Sequence, residues 1–274
     1  MTTRRTLCRD PHPNSRGYSL IEVLMTLSVM AVLAFTSIEL FSDSMQESKF
    51  EETRQRLERM KTAIVGDSAL TENNVRTSFG YYGDIGAVPT TLSNLLTRPA
   101  KVSAWAINTT FRFGTGWNGP YLSSSSTTPN VTTDAWGRNL VYTVGETTTI
   151  TSYGSDGAVG GTGYAADITV SMTTTDYRGS VYGFINTDGA PISTTATVQI
   201  FYPDGSGGVT TKNTQNITAA EKGYFTLANV PYGKRSVRFY IPNNTSPTTT
   251  IGPVVFTLDR PNLEISESAL DTNP

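Results

Sequence analysis

The most pronounced pattern in the sequence is an apolar run from Tyr18 to Phe41, in which the only charged residues are Glu22 and Glu39. As an α-helix this run would be about 36 Å long, which is enough to cross the ~30 Å hydrocarbon core of a bilayer. We therefore predict a transmembrane helix over residues 18–41. Because a carboxylate inside such a helix costs about 3 kcal/mol on insertion scales, Glu22 is expected to have a specific partner.

A second helical pattern follows directly. Apolar or small side chains recur at a spacing of three or four residues, with charged residues between them. They are Phe50, Thr53, Leu57, Met60 and Ile64. This spacing is typical of an amphipathic helix, so we predict one continuous helix over residues 18–65, with Gly66 as its stop.

The rest of the chain consists of short strand-like segments separated by turn residues. We predict a small antiparallel-sheet head over residues 66–175, with a hairpin that turns at Gly145-Glu146. A second set of strands predicts an all-β sandwich over residues 176–258. Its strand-like segments are Val181–Ile185, Thr197–Phe201, Gly223–Leu227 and Ser236–Ile241. Residues 259–274 are a polar tail, which is expected to be disordered beyond Pro261. The predicted fold class is α+β.

Composition removes most classes of enzyme. Cys8 is the only Cys and His12 the only His, and both precede the apolar run. The sequence after them therefore lacks the residues for a disulfide, a Cys/His zinc site, a Cys nucleophile or a Ser-His-Asp triad. We predict that the protein is not an enzyme.

The charge balance argues against nucleic acid as a partner. The whole chain has a net charge of −2, and the segment before Tyr18 carries four Arg and one Asp, so the remainder is near −5. A chain of this charge has no electrostatic basis for nucleic-acid binding.

The junction Gly17-Tyr18-Ser19-Leu20-Ile21-Glu22, preceded by an Arg-rich segment, resembles the class III signal of type IV pilins and type II secretion pseudopilins. The resemblance implies that residues 1–17 are a leader and that prepilin peptidase cuts between Gly17 and Tyr18. It also implies that the new N-terminal residue is methylated and that Glu22 supports subunit assembly. An amine on Tyr18, of the same or a neighbouring subunit, would be a suitable partner for the Glu22 carboxylate. The alternatives are an ordinary single-span anchor or a secretory signal cut near Ala34.

The head resembles that of the type II secretion major pseudopilin. It has a Gly-Pro-Tyr-Leu segment at residues 119–122, an Asp-Ala-Trp-Gly turn at residues 134–137, a hairpin and a Gly-rich loop over residues 153–168. The resemblance implies a calcium ion in this loop, and Asp156 and Asp167 match the positions of the family's ligands. The loop has Tyr164, Ala165 and Ala166 where the family usually has a further Asp.

The predicted sandwich resembles the transthyretin-like regulatory domain of carboxypeptidases, through the order Gly-Ala-Pro-Ile and then Gly-Tyr-Phe-Thr-Leu-Ala-Asn-Val-Pro-Tyr-Gly. That domain type is a scaffold with no chemistry of its own.

Taken together, the resemblances imply a structural subunit that polymerises through its N-terminal helix into a type II secretion pseudopilus or a type IV pilus-like filament. Its expected partners are prepilin peptidase, other copies and minor (pseudo)pilins, and the bacterial inner membrane. The chain would cross that membrane once, with its C-terminal domains in the periplasm, or at the cell surface when assembled. The alternative is a membrane-anchored or filament-borne adhesin or binding protein that acts through the sandwich.

Overall fold

The computed structural model of this protein describes residues 17–122, 130–187, 190–214 and 216–265. The predicted leader before Gly17 and residues 266–274 of the predicted tail lie outside these described residues. The chain divides into two compact units, residues 1–48 and residues 49–274.

The first unit contains the beginning of helix α1, which runs from Leu20 to Val65 as one α-helix, as the sequence predicted. As far as Met45, every side chain that the structure describes is exposed. The hydroxyl groups here bond back to helix carbonyls; for example, Ser37 Oγ donates to Leu33 O at 2.7 Å. By length and composition α1 is apolar enough to cross a membrane, and internal pairing of this kind suits a helix in hydrocarbon.

The second half of α1 belongs to the second unit and buries one face. Thr53, Leu57 and Ile64 are each 0% exposed, and Met60 is 1% exposed. Phe50 is half-buried against the same core. The predicted amphipathic spacing therefore marks the face that packs on the head.

Helix α1 stops where the sequence predicted. Gly66 has a φ of 85°, and a Cβ at this position would lie 2.4 Å from Ser78 O, so both the backbone and the available space require glycine. The guanidinium of Arg76 donates from Nη2 to Val65 O at 2.6 Å. A cation at the C-terminal end of a helix also interacts favourably with the helix dipole.

The head is built from many short elements around one apolar core, to which α1, α2 and the sheet β5-β6-β7 contribute. The helices are α2 (Gly80–Ile85) and α3 (Thr174–Tyr177), with 3-10 turns at Leu92–Leu95 and Gly163–Ala165. The strands are β1 (Thr71–Glu72), β2 (Val75–Arg76), β3 (Ala106–Asn108), β4 (Phe113–Thr115), β5 (Val141–Thr143), β6 (Thr148–Ser152) and β7 (Ile168–Met172). The predicted hairpin is the antiparallel pair β5-β6.

Residues 178–265 are called the C-terminal β region below. Their described part forms two larger sheets around a second apolar core, and a separate two-stranded sheet pairs residues 186–187 with residues 190–191. The four-stranded sheet has the order β12-β11-β14-β15, and the three-stranded sheet has the order β13-β8-β16. The strands are β8 (Arg178–Phe184), β9 (Asn186–Thr187), β10 (Ala190–Pro191), β11 (Thr197–Pro203), β12 (Val209–Asn213), β13 (Tyr224–Pro231), β14 (Gly233–Ile241), β15 (Thr249–Leu258) and β16 (Asn262–Ile265). A 3-10 turn lies at Ala219–Glu221.

Strand β16 corrects the prediction of a disordered tail after Pro261. Asn262–Ile265 pairs in parallel with β8, and Ile265 lies opposite Gly183. Ile265 is also buried in the second core, at 7% exposure. The segment is too short and polar to read as a strand by itself, and it becomes one because β8 offers an open edge.

The head and the C-terminal β region meet along a seam of direct hydrogen bonds. The turn after β11 docks on the head: Gly205 N donates to Ile85 O at 2.7 Å, and Ser103 N donates to Ser206 O at 2.9 Å. Nearby, the rings of Phe111 and Phe201 stack with centroids 4.2 Å apart. The described residues from Lys49 onward therefore form one compact unit that contains two cores.

Candidate functional site

The predicted cleavage junction lies just before α1. Gly17, Tyr18 and Ser19 are not helical, and the Tyr18 side chain is 80% exposed. A Cβ at Gly17 would meet no atom within 4 Å. The packing of the described residues therefore does not require glycine at this position, which suits a residue retained for recognition by a protease.

Glu22 lies in the first turn of α1. Its backbone N–H donates to Ser19 O at 3.0 Å, and a carboxylate in a first turn is stabilised by the helix dipole. The carboxylate itself is exposed and makes no hydrogen bond or ion pair with any residue that the structure describes.

The Asp-Ala-Trp-Gly turn is a polar anchor between the sheet and α1. Asp134 is 3% exposed, and its Oδ1 accepts from the backbone N–H of Trp136 and of Arg138, both at 2.9 Å. Its other oxygen, Oδ2, accepts from Ser152 Oγ on β6 at 2.7 Å. The backbone N–H of Ala135, in the same turn, donates to Thr53 Oγ1 on α1 at 3.1 Å. These bonds satisfy the buried carboxylate.

The same turn positions Arg138 against the Gly-rich loop. Arg138 Nη1 donates to Gly154 O at 2.6 Å, and a Cβ at Gly157 would lie 2.7 Å from Arg138 Nε. The loop also closes on itself, since Ser155 N donates to Tyr164 O at 2.8 Å. A backbone hydrogen bond therefore joins the two arms of the loop, and one guanidinium is bonded to its first arm.

The two predicted calcium ligands both belong to this closed loop. Asp156 Oδ1 accepts from Ala158 N at 3.0 Å, which is an ordinary turn contact, and Asp167 N donates to Gly160 O at 3.1 Å. In the described part of the chain no group of three or more His, Cys, Asp or Glu side chains could hold a metal. Any cation here would depend on backbone carbonyls for most of its ligands.

Such carbonyls do converge beside Gly154. A Cβ at this position, where φ is 61°, would lie 2.7 Å from Ala166 O and 2.8 Å from Tyr164 O. Glycine therefore keeps open a small cradle lined with oxygen, the ligand type that calcium prefers. The donors present fit a hard cation in kind, although only two of them are carboxylates.

A further polar cluster, which the sequence did not indicate, lies at the seam. The carboxylate of Asp84 accepts from Tyr121 Oη at 3.0 Å, and burial raises the pKa of Asp84 to about 6. Burial likewise raises the pKa of the Tyr121 phenol. A partly buried acid next to Asn118-Gly119-Pro120-Tyr121 has no local sequence signal, because the two segments meet only in the fold.

Arg235 faces this cluster from β14 and is 1% exposed. Its Nε donates to Pro231 O at 2.8 Å and its Nη1 to Lys234 O at 2.7 Å, while Nη2 reaches Gly83 O on α2 at 2.9 Å. Burial lowers the pKa of Arg235 to about 9, an effect that Asp84 opposes. The guanidinium thus remains charged at neutral pH and fastens the C-terminal β region to the head.

Two family models match parts of this chain. Residues 42–171 match the family model described as Type II secretion system (T2SS), protein G, and residues 12–38 match the Prokaryotic N-terminal methylation motif. These matches support the pseudopilin family, whose members are structural components of the secretion system and not enzymes.

One curated relative is the type II secretion system core protein G of Xanthomonas campestris pv. campestris, which is 25% identical over 174 residues. The alignment covers 60% of this chain and 96% of the relative. No solved structure matches the chain. The C-terminal β region lies beyond the matched model, so its transthyretin-like character stays a prediction.

Proposed function

We propose that this protein is a subunit of a type II secretion pseudopilus that is cut between Gly17 and Tyr18, methylated, and polymerised through α1. The C-terminal β region adds a surface to each subunit. The observation that carries the proposal is the apolar half of α1, which is exposed and bears a Glu22 carboxylate with no partner among the described residues. The exposed apolar side chains of such a helix are covered by lipid in a membrane and, after assembly, by the helices of other subunits.

Processing is tested by the intact mass of the protein extracted from membranes. We expect a chain that begins at Tyr18 and carries one additional methyl group, and Gly17→Val should keep the leader attached. The matched control is Ser19→Ala, two residues away, which should be processed as the wild type is. A mature terminus near Phe35 would contradict the proposal.

Assembly is tested by Glu22→Ala, with Glu22→Gln as the isosteric variant without charge. Both should insert in the membrane at least as well as the wild type, because a costly charge is removed, yet both should enter filaments poorly. Thr26→Ala, one helical turn further on, serves as the control. If the Glu22 variants assembled normally, Glu22 would have no pairing role and the anchored binding protein would become the better interpretation.

We also propose a calcium ion in the Gly-rich loop, with Asp156, Asp167 and loop carbonyls as its ligands. The oxygen-lined cradle beside Gly154 supports this, and a bound ion would hold the loop in the conformation described above. The Arg138 guanidinium already bonds to one carbonyl of the loop, so the ion would add to an existing constraint.

A further inference from the structure

A cavity of about 580 Å³ opens at the seam. The head contributes Glu72, Asp84, Trp105 and Asn118 to its wall, while the C-terminal β region contributes Lys234 and Thr257. Its size is in the range of small-molecule sites. Lys234 and Thr257 lie outside residues 42–171, which match the family model. The cavity therefore exists only because this chain has the additional region.

Trp105 presents an open aromatic ring at this cavity. The residue is 42% exposed, and a Cβ at Gly114 would lie 2.3 Å from its Cζ2. The ring thus rests directly on the backbone of β4, where only glycine leaves space for it. Its indole N–H makes no hydrogen bond with any described residue, whereas that of Trp117 donates to Asn94 O at 2.9 Å. Indole N–H groups ordinarily find a partner when buried.

The polar groups of the wall include both donors and acceptors. Asp84 accepts hydrogen bonds from Tyr121 and Asn118 and is part of the cavity wall. The Lys234 ammonium and the Glu72 carboxylate have no intramolecular partner within the described ranges. Arg235 forms part of the wall, but its guanidinium is directed at carbonyls of the protein.

The charges of the wall are mixed. The wall contains two acids, Glu72 and Asp84, and three bases, Arg76, Lys234 and Arg235, so no single sign of ligand charge is matched throughout the cavity. A neutral ligand can use groups of both kinds. If it carries hydroxyl groups, it can donate to the carboxylates and accept from the ammonium and indole groups.

We propose that this cavity binds a neutral saccharide, with an apolar face of one sugar ring stacked on Trp105. The hydroxyl groups of that ring would bond to Asp84, Asn118 and Lys234. A pyranose has an apolar C–H face and a rim of hydroxyls, and this cavity offers one aromatic surface surrounded by mixed donors and acceptors. Recognition of this kind is independent of filament assembly and goes beyond the proposed function.

The test uses the full-length chain in a zwitterionic detergent without a sugar headgroup. The probes are neutral trisaccharides of glucose (α- and β-linked) and of N-acetylglucosamine, and the ionic comparisons are tetralysine and tetraglutamate. Binding is measured by isothermal titration calorimetry and by ligand-observed NMR. We expect at least one neutral trisaccharide to bind saturably with a Kd of about 1 mM or tighter.

Trp105→Ala should weaken this binding at least about tenfold, and Lys234→Ala, an exposed position, should weaken it less. Ile107→Ala is the matched control, because Ile107 lies on the adjacent strand β3, is 62% exposed and is not part of the cavity wall. If Trp105→Ala lowered the melting temperature, its loss of binding could come from a destabilised fold, and the effect of Lys234→Ala on binding would decide instead. The proposal is overturned if no neutral trisaccharide binds up to about 10 mM, if Trp105→Ala and Lys234→Ala both bind like the wild type, or if only the charged peptides bind.

Discussion

The head and the C-terminal β region bury their cores by different means. The head uses short elements and depends on buried polar anchors, such as Asp134 in its turn and Arg76 at the end of α1. The β region uses strands of up to 10 residues, and among the described residues it buries fewer polar side chains, namely Thr197, Arg235 and Ser236. The fold of the head is therefore specified by individual hydrogen bonds, while the apolar core of the β region tolerates more substitution.

The two regions are nevertheless not independent, because the seam joins them through buried groups. Arg235 belongs to the regular β region but completes the polar network of the irregular head. Interfaces between domains that fold alone are usually more exposed and polar. A change in the sequence pattern, here near residue 176, therefore need not coincide with a boundary between separately packed domains.

If the two regions depend on each other, removal of every residue after Thr175 should have the largest effect. We expect the remaining chain to lose its fold, because the head would lose Arg235 and the cover over α2. Limited proteolysis of membrane-extracted full-length and shortened chains measures this. A shortened chain as resistant as the full-length protein would show that the two regions are separable after all.

A single substitution at the seam should have the next largest effect. Arg235→Met removes the donor from several buried carbonyls, including Gly83 O, and should destabilise the protein by about 4 kcal/mol. Lys234→Met, its exposed neighbour, should change stability by less than about 0.5 kcal/mol. Denaturant unfolding of both variants in detergent makes the comparison, and equal stabilities would mean that Arg235 does not couple the regions.

The third prediction concerns pH. The pKa of Asp84 is raised in the folded state to about 6 from 3.8, so its contribution to stability is full below the unfolded pKa and is lost as pH rises through about 6. The loss amounts to about 3 kcal/mol at 1.36 kcal/mol per unit. Asp84→Asn should remove this dependence between pH 4 and 7, measured as the change in the free energy of unfolding.

Asp204 provides the control of opposite sign. Although burial raises the pKa of Asp204, hydrogen bonds from Ser206 and Gly208 lower it overall. Asp204→Asn should therefore remove stability that is present at neutral pH and is lost as pH falls. If both variants shifted the pH profile in the same direction, the assignment of Asp84 would be wrong.

The smallest expected effect is that of calcium on the Gly-rich loop. At tenfold excess over Kd, an ion that binds only the folded chain stabilises it by about 1.4 kcal/mol. This should appear as a higher melting temperature with calcium than with chelator, and Asp156→Ala or Asp167→Ala should abolish the difference. Identical melting temperatures of the wild type with calcium and with chelator would contradict the proposal that calcium binds the loop.

Local patterns predicted much of this molecule. The period of three and four residues from Phe50 to Ile64 gave the buried face of α1, and the segments with alternating character gave β5, β6 and the longer strands of the β region. The cleavage junction and the role of Glu22 stay predictions, and the sequence could suggest them because their motif occupies consecutive residues.

Features that depend on distant partners were not accessible. Strand β16 exists because β8 offers it an edge, and helix α2 begins at Gly80 in a segment rich in glycine. Arg235 stands in a strand where alternation does not separate it from exposed neighbours such as Lys234, and its burial is decided by carbonyls of the head. The same holds for the cavity wall, which is completed by short segments spread between Glu72 and Thr257.

The bond between Arg235 and Gly83 also has a consequence in time. Its partners are separated by 152 residues, so at a synthesis rate of 5–20 residues per second Gly83 emerges about 8–30 s before Arg235. Throughout that interval the face of α2 that later receives β14 has no cover. The nascent chain therefore exposes this face until the segment that contains Arg235 has been made, and surface exposed in this way favours aggregation.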